Sequence, residues 1–207
     1  LIFALFSLMV DIKGIYLQVF EKDAQNLYPN IDIMISYDEY SASRLINKHF
    51  LSEYEEVDYT LAFLNFQVVA VKDEHNFYAN LFSSLTHEFE LFADIDVNLL
   101  PKQMIISESF AKNQKLHLGD KINFQIYEKH FEYEVAAIIK DRGLFSDNAF
   151  YIDKQEFIKE LYSLTFLNNF GNKLLISTKD KNLTFSKLLE DENYLDYRLE
   201  YVVDLLA

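Results

Sequence analysis

The chain has 207 residues, of which 33 are acidic and 19 basic, and its formal net charge is −14. Half of the residues are hydrophobic and 16% are aromatic, which argues against intrinsic disorder. The acidity argues against nucleic acid as a partner, because like charges repel, and the absence of cysteine excludes disulfides, thiol catalysis and cysteine-based metal sites.

The first ten residues are apolar apart from Ser7. A bilayer-spanning helix needs about 20 apolar residues, so this run is too short to cross alone. We predict that residues 1–13 are the end of a transmembrane helix; the alternative is a buried N-terminal helix. Apolar residues then recur at helical spacing up to Leu27, and Pro29 ends the pattern.

The next two elements are predicted from alternation and capping. Residues 31–37 alternate between apolar and polar side chains, which indicates a strand. Ser41 or Ser43 is placed to cap a helix that continues to Phe50.

Two β-rich runs follow, at residues 57–63 and 67–71. The three residues between them, 64–66, predict a hairpin turn or a bulged strand. Residues 73–99 contain many aromatic side chains without a clear period, and they favour short helices and loops.

The region after residue 100 is the most regular part of the chain. The apolar run at residues 104–106 predicts a buried strand, and Ser107 is placed to cap a short helix over residues 108–114. Gly119 follows where the chain needs a left-handed residue to turn.

An antiparallel pair of strands is predicted next. Residues 121–128 alternate, with Ile122, Phe124 and Ile126 on one face, and this is typical of a half-buried strand. Residues 131–139 return as a longer strand. The apolar run at its end predicts that both faces are covered there.

The last third of the chain predicts an alternation of helices and strands. Residues 154–164 favour a helix, residues 173–178 a strand, and residues 198–203 a final strand. Thr184 is placed to cap a helix over residues 185–190. The order of elements predicts an α+β (mixed α/β) fold, and the absence of a linker favours a middle block inserted into one parent domain.

No group of residues combines the parts of a catalytic or metal site. Thr86-His87-Glu88 lacks a second histidine four residues after the first, since position 91 is Leu. Ser107 lacks the flanking glycines of a nucleophile elbow and is better explained as a helix cap. We therefore predict no catalytic, cofactor-binding or metal-binding residues, no cofactor and no enzyme activity.

Five short segments between residues 105 and 153 follow one another as strand, small helix, Gly-Asp turn, strand and aromatic-rich strand. They are Ile105-Ile106-Ser107, Phe110-Ala111, Leu118-Gly119-Asp120-Lys121-Ile122, Tyr133-Glu134-Val135-Ala136-Ala137-Ile138-Ile139 and Phe150-Tyr151-Ile152. In this order they resemble the periplasmic core domain of MacB/FtsX-like ABC transporter permeases.

The resemblance implies a parent βαβ-type subdomain built from both chain ends, residues 14–75 and 145–207. It also implies a β-rich subdomain, residues 76–144, inserted in the middle. The implied location is the extracytoplasmic side of the cell membrane, in the periplasm or at the cell exterior. The implied role is to couple ATP-driven motion to export or to an extracytoplasmic partner, without chemistry of its own.

The implied partners are a second permease subunit and a cytoplasmic ATPase subunit. An extracytoplasmic protein, or an exported peptide, drug or lipoprotein, would be the further partner. Two alternatives stay open at this point. One is a membrane-anchored extracytoplasmic module for ligand binding or adhesion, and the other is an acidic enzyme whose site the sequence does not reveal.

Overall fold

A computed structural model describes the following residues: 28, 31–36, 45–93, 95–96, 98–143, 145–146, 148–162, 166–194 and 197–202. The predicted membrane-end helix at residues 1–13 and its continuation to Leu27 lie outside these residues. Within the described ranges, no helix combines the length and apolarity that crossing a membrane requires.

The described part of the chain forms eleven strands and four α-helices, which confirms the predicted α+β class. The strands are β1 Ile33–Ser36, β2 Ile46–Asn47, β3 Val57–Lys72, β4 His75–Ser84, β5 Gln103–Ser107, β6 Lys121–Ile126, β7 Lys129–Ile139, β8 Ala149–Asp153, β9 Phe170–Gly171, β10 Lys173–Thr178 and β11 Arg198–Tyr201. The α-helices are α1 Thr86–Ala93, α2 Glu108–Gln114, α3 Lys154–Tyr162 and α4 Lys181–Glu190. Two 3-10 helices cover Lys48–Glu53 and Phe166–Asn169.

Nine strands form one sheet in the order β11-β1-β10-β3-β4-β8-β5-β7-β6, and β2 pairs with β9 separately. Because β6 also pairs with β3, the six strands from β3 to β6 close into a barrel. The remaining three strands continue from the first half of β3 as an open antiparallel sheet. The long strand β3 therefore belongs to both parts.

The buried side chains form one core inside the barrel and one on each face of the open sheet. In the barrel, alternate residues of β3 and β6, such as Val68 and Phe124, face inward and meet Phe157 of α3. On the open sheet, Phe63 packs with α1 on one face, while Ala62 packs with Leu188 of α4 on the other. This follows from the two-residue repeat of a strand, which sends successive side chains to opposite faces.

Two predictions between residues 57 and 99 are wrong. Residues 64–66 do not turn, because β3 is one continuous strand that changes partner at this point, pairing with β10 up to Phe63 and with β4 from Leu64. Residues 75–84, predicted as short helices and loops, form β4. The two-residue turn between them, Asp73-Glu74, has positive φ angles of 47° and 68° although it contains no glycine, so it lacks the usual sequence signal of a hairpin.

The α-helix predicted to run to Phe50 is not formed at residues 45–50, the part of it that the structure describes. Ile46 and Asn47 form β2, and residues 48–53 form a 3-10 helix that Asn47 caps through a bond from the His49 N–H. The predicted caps, Ser41 and Ser43, lie outside the described residues.

The helix at residues 185–190 is longer than predicted. It begins at Lys181 and is capped by Asp180, whose side chain accepts the Leu183 N–H. Thr184 is a buried residue inside the helix, and its hydroxyl lies 2.6 Å from that of Thr178. Leu188 is buried, whereas Leu189 is exposed.

The region from residue 103 to 139 agrees more closely with the prediction. Ser107 caps α2, and Ile122, Phe124 and Ile126 are buried on one face of β6. Gly119 has a φ of +83°, as its place in the turn requires, although the left-handed residue that ends α2 is Lys115. The end of β7 is not covered on both faces, because Ile138 is 39% exposed.

Candidate functional site: the junction of the open sheet and the barrel

The point where β3 passes from the open sheet into the barrel is held by side chains from two distant segments. We call this group, formed by Ala62, Asn65, Lys154 and Asn172, the β3 junction. Ala62 lies in the half of β3 that pairs with β10, and Asn65 lies in the half that pairs with β4. In the part of the chain that the structure describes, β3 is thus the strand that pairs in both the open sheet and the barrel.

Lys154 is the first residue of α3 and is fully buried. Its ammonium group donates to the carbonyl oxygens of Ala62 at 3.1 Å, Asn168 at 3.0 Å and Phe170. A lysine ammonium has three N–H donors, so all three are used. Lys154 thus ties α3 to β3, to a 3-10 helix and to β9 at once.

A buried positive charge needs compensation, and Glu88 supplies it. Burial lowers the pKa of Lys154 to about 8, the carboxylate of Glu88 raises it, and the charge of Lys48 lowers it. Glu88 is itself buried in α1, where it accepts a hydrogen bond from Lys48 Nζ and one from the Leu85 N–H at 3.3 Å. The three charges connect α1, α3 and the 3-10 helix at residues 48–53 beside the sheet.

Asn172 completes the hydrogen bonding of β3 where its partner strand ends. The Asn65 N–H donates to Asn172 Oδ1 at 2.7 Å, and Asn172 Nδ2 donates to the Asn65 carbonyl at 2.6 Å. One amide side chain therefore replaces the pair of backbone bonds that a neighbouring strand would make.

The junction is suited to holding backbone in place and not to chemistry. The three donors of Lys154 are all bound to backbone carbonyl oxygens, so none is left to contact a substrate, and the charged groups near it are Glu88 and Lys48. Of the residues weighed as chemical candidates, His87 is exposed on α1. Ser107 Oγ accepts the Phe110 N–H at 3.3 Å and the Ala149 N–H at 3.2 Å. In the described ranges, no three His, Cys, Asp or Glu side chains are grouped as metal ligands would be.

Sequence reasoning did not single out the junction residues. For Lys154 a signal was present, because Phe157, Ile158 and Leu161 lie three, four and seven residues after it, on one helical face. A charged residue in phase with a buried face is a candidate for a paired internal charge. For Asn172 the sequence contains no comparable signal.

No protein-family model matches this sequence, and no curated protein matches it. The fold, by contrast, is similar to solved structures. The periplasmic region of MacB from Actinobacillus actinomycetemcomitans has a TM-score of 0.58 and 11% identity over 90% of this chain and 95% of that one. The extracellular domain of the noncanonic ABC-type transporter YknZ from Gram-positive bacteria has a TM-score of 0.52 and 11% identity over 82% of this chain and 98% of that one. The prediction of a MacB-like periplasmic domain is thus confirmed at the level of the fold, which this chain shares with both domains.

Proposed function

We propose that this chain is the extracytoplasmic domain of an ABC transporter permease. The observation that supports this most is the similarity in fold to the MacB and YknZ domains, which covers 90% and 82% of this chain and 95% and 98% of those domains. In this role the domain does no chemistry. It couples ATP-driven motion in the membrane to export or to a partner outside the cytoplasm.

The β3 junction is the element that would transmit such motion inside the domain. A continuous strand shared by both parts is stiff along its length, and packed interiors transmit strain. Lys154 and Asn172 hold this strand to other segments at the two positions, Ala62 and Asn65, on either side of the change of partner. The barrel and the open sheet would then move together.

The proposal includes the partners and the location that go with this role. They are a second permease subunit, a cytoplasmic ATPase subunit, and an extracytoplasmic protein or exported cargo, with the domain facing the periplasm or the cell exterior. The division into a parent subdomain (residues 14–75 and 145–207) and an inserted subdomain (76–144) also belongs to this proposal.

The full-length protein provides the test. Its complete reading frame should encode three further long apolar segments after this domain, and an ATPase subunit should co-purify with it from membranes. A strain without the gene should regain its normal phenotype with the full-length protein but not with a form that lacks residues 15–205, although ATP hydrolysis by the complex persists. Rescue by the shortened form, or purification without an ATPase, would contradict the proposal. A reading frame with one membrane segment would favour the anchored binding module instead.

A further inference from the structure

Strand β3 has an uncovered edge in the middle of the sheet. On the side opposite β4, it pairs with β10 up to Phe63 and with β6 only at Ala70 and Val71. In the part of the chain that the structure describes, no strand pairs with residues 64–69 on this side. Asn172 covers Asn65 alone.

The backbone groups beyond Asn65 point into this gap. Asn65 directs both its N–H and its carbonyl to the uncovered side, where Asn172 binds them. Because backbone groups of a strand repeat every two residues, Gln67 and Val69 direct theirs to the same side. A strand laid along this edge would therefore find hydrogen-bonding groups in register.

The gap is the site of a cleft of about 530 Å³ between β3 and the β6–β7 hairpin, a volume in the range of ligand-binding pockets. We call it the β3–β6 cleft. Its base is apolar, formed by the buried residues Val68, Phe124 and Phe131. Phe157 of α3 packs against Phe131 and against Phe66 from the core side, with ring centres 5.5 and 6.1 Å apart.

The lining of the β3–β6 cleft contrasts with the rest of this acidic chain. It consists of four amide residues, three valines, three aromatic residues and His130, and none of them is Asp, Glu, Lys or Arg. The rim of the cleft includes Val69, which is 45% exposed, and Tyr127, which is 59% exposed. Tyr78, outside the lining and directly opposite Val69 on β4, is 73% exposed. Exposed tyrosine with few charged residues is typical of the centre of protein interfaces.

We infer that the β3–β6 cleft binds an extended, non-acidic segment of a partner polypeptide. The segment would add as a strand to the free edge of β3, with alternate side chains on the apolar base and on the tyrosine rim. A net charge of −14 repels acidic segments, which leaves neutral or basic ones. This inference does not depend on the transport role, since the cleft has these properties in any assembly that contains the domain.

A selection with displayed peptides tests the inference. A phage library of random peptides, about eight residues long, is selected on the immobilised 207-residue chain, and the affinity of the enriched peptides is measured by fluorescence anisotropy. We expect enriched peptides that are poor in Asp and Glu. N-methylation of alternate peptide bonds should weaken binding on the order of tenfold, because it removes the bonds to the β3 edge.

The variants Val69→Glu and Tyr127→Glu, both in the lining, should each weaken binding on the order of tenfold as well. Leu189→Glu, at an exposed apolar residue of α4, is the matched control and should leave the affinity unchanged. Circular dichroism verifies that each variant folds. If one of the two rim variants misfolds, the other provides the test. Failure to enrich any peptide, or binding that tolerates N-methylation and both rim variants, overturns the inference. A dimer of the chain that Val69→Glu dissolves would also overturn it, because the occupant would then be a second copy.

Discussion

The backbone of Gly171 lies against the backbone of Phe63 so closely that a Cβ atom on residue 171 would be 2.5 Å from the Phe63 carbonyl oxygen. The same atom would be 2.9 Å from the Phe63 nitrogen. Gly171 directly precedes Asn172 in the chain, so this close approach is what brings the Asn172 amide within reach of Asn65. Glycine is required here for lack of space.

The variant Gly171→Ala should therefore be destabilised by about 2–3 kcal/mol, since neither strand can move without breaking its ladder. Urea denaturation followed by circular dichroism measures this. Gly119→Ala is the informative comparison, because no atom lies near its Cβ but its φ is +83°. That variant should lose about 1–2 kcal/mol through backbone strain alone, and Gly119→Asn should recover part of the loss. Equal recovery by Gly171→Asn would show that space is not the constraint at Gly171.

A separate prediction concerns the two hydrogen bonds between the Asn172 amide and the Asn65 backbone. Asn172→Ala leaves the half-buried N–H and carbonyl of Asn65 without their partner, and should cost about 1–2 kcal/mol. Asn172→Asp keeps the acceptor for the Asn65 N–H but loses the donor to its carbonyl, so it should not restore stability. Asn182→Ala, which removes only an exposed hydrogen bond from the Tyr201 hydroxyl, provides the control. If Asn172→Ala is as stable as the control, the hydrogen bonds from Asn172 do not stabilise β3.

Lys154→Met removes three donors from buried carbonyl oxygens and leaves Glu88 with less positive charge nearby. We expect a loss of about 2–4 kcal/mol in the free energy of unfolding. Lys159→Met changes the same residue type on the exposed side of the same helix, and its effect should stay within about 0.5 kcal/mol. A Lys154→Met variant as stable as wild type would mean that apolar packing replaces the charged contacts at no cost.

The pH dependence of stability should identify the Lys154 charge itself. Because burial lowers its pKa from 10.5 to about 8, between these values the unfolded chain binds a proton that the folded chain does not. Stability from this group therefore rises with pH in that window, by at most about 1.4 kcal/mol per pH unit, and is flat below it. Above pH 10 the trend should reverse. Burial raises the pKa of Tyr28 from 10.0 to about 12, so between these values the unfolded tyrosine has lost its proton and the folded one keeps it. Stability from Tyr28 therefore falls as the pH rises in that window.

The measurement is the difference in unfolding free energy between wild type and Lys154→Met from pH 7 to pH 10. The tyrosines are common to both proteins, so their contribution cancels in the difference. The advantage of wild type should grow as the pH rises through 8. Parallel curves would show that the Lys154 amine has the same proton affinity in the folded and unfolded chain.

Much of the barrel follows from alternation along the sequence, because its strands bury one face only. Ile122, Phe124 and Ile126 show this in β6. The same logic fails at residues 61–64 of β3, which are buried on both faces, because α1 and α4 cover the open sheet on opposite sides. The two halves of β3 lie in different environments, so the strand has no single pattern of buried and exposed residues. In the sequence, the change of pattern at Leu64 resembles a turn.

The candidate site was less predictable than the fold. Lys154 and Glu88 are internal charges that stabilise each other across 66 positions of sequence, a relationship that local patterns do not contain. Asn172 acts through backbone groups of Asn65, and backbone groups have no sequence signature. The Gly-Asp turn and the cap at Ser107 were predictable because each includes a local bond, from the His117 N–H to Asp120 Oδ2 and from the Phe110 N–H to Ser107 Oγ.

Ser107 links that local role to a distant one, and this leads to a last prediction. Its hydroxyl oxygen caps α2 through the Phe110 N–H at 3.3 Å and also accepts the N–H of Ala149 at 3.2 Å, at the start of β8. Ser107→Ala should lose about 1 kcal/mol for the cap and about 1 kcal/mol or more for the buried Ala149 N–H.

Ser109→Ala is the control, because it removes only the hydroxyl that lies 3.1 Å from Ser107 Oγ. Urea denaturation gives the stabilities, and hydrogen exchange of the Ala149 amide separates the two effects. If hydrogen exchange of the Ala149 amide is unchanged in Ser107→Ala, the Ser107 hydroxyl stabilises only the N-terminus of α2.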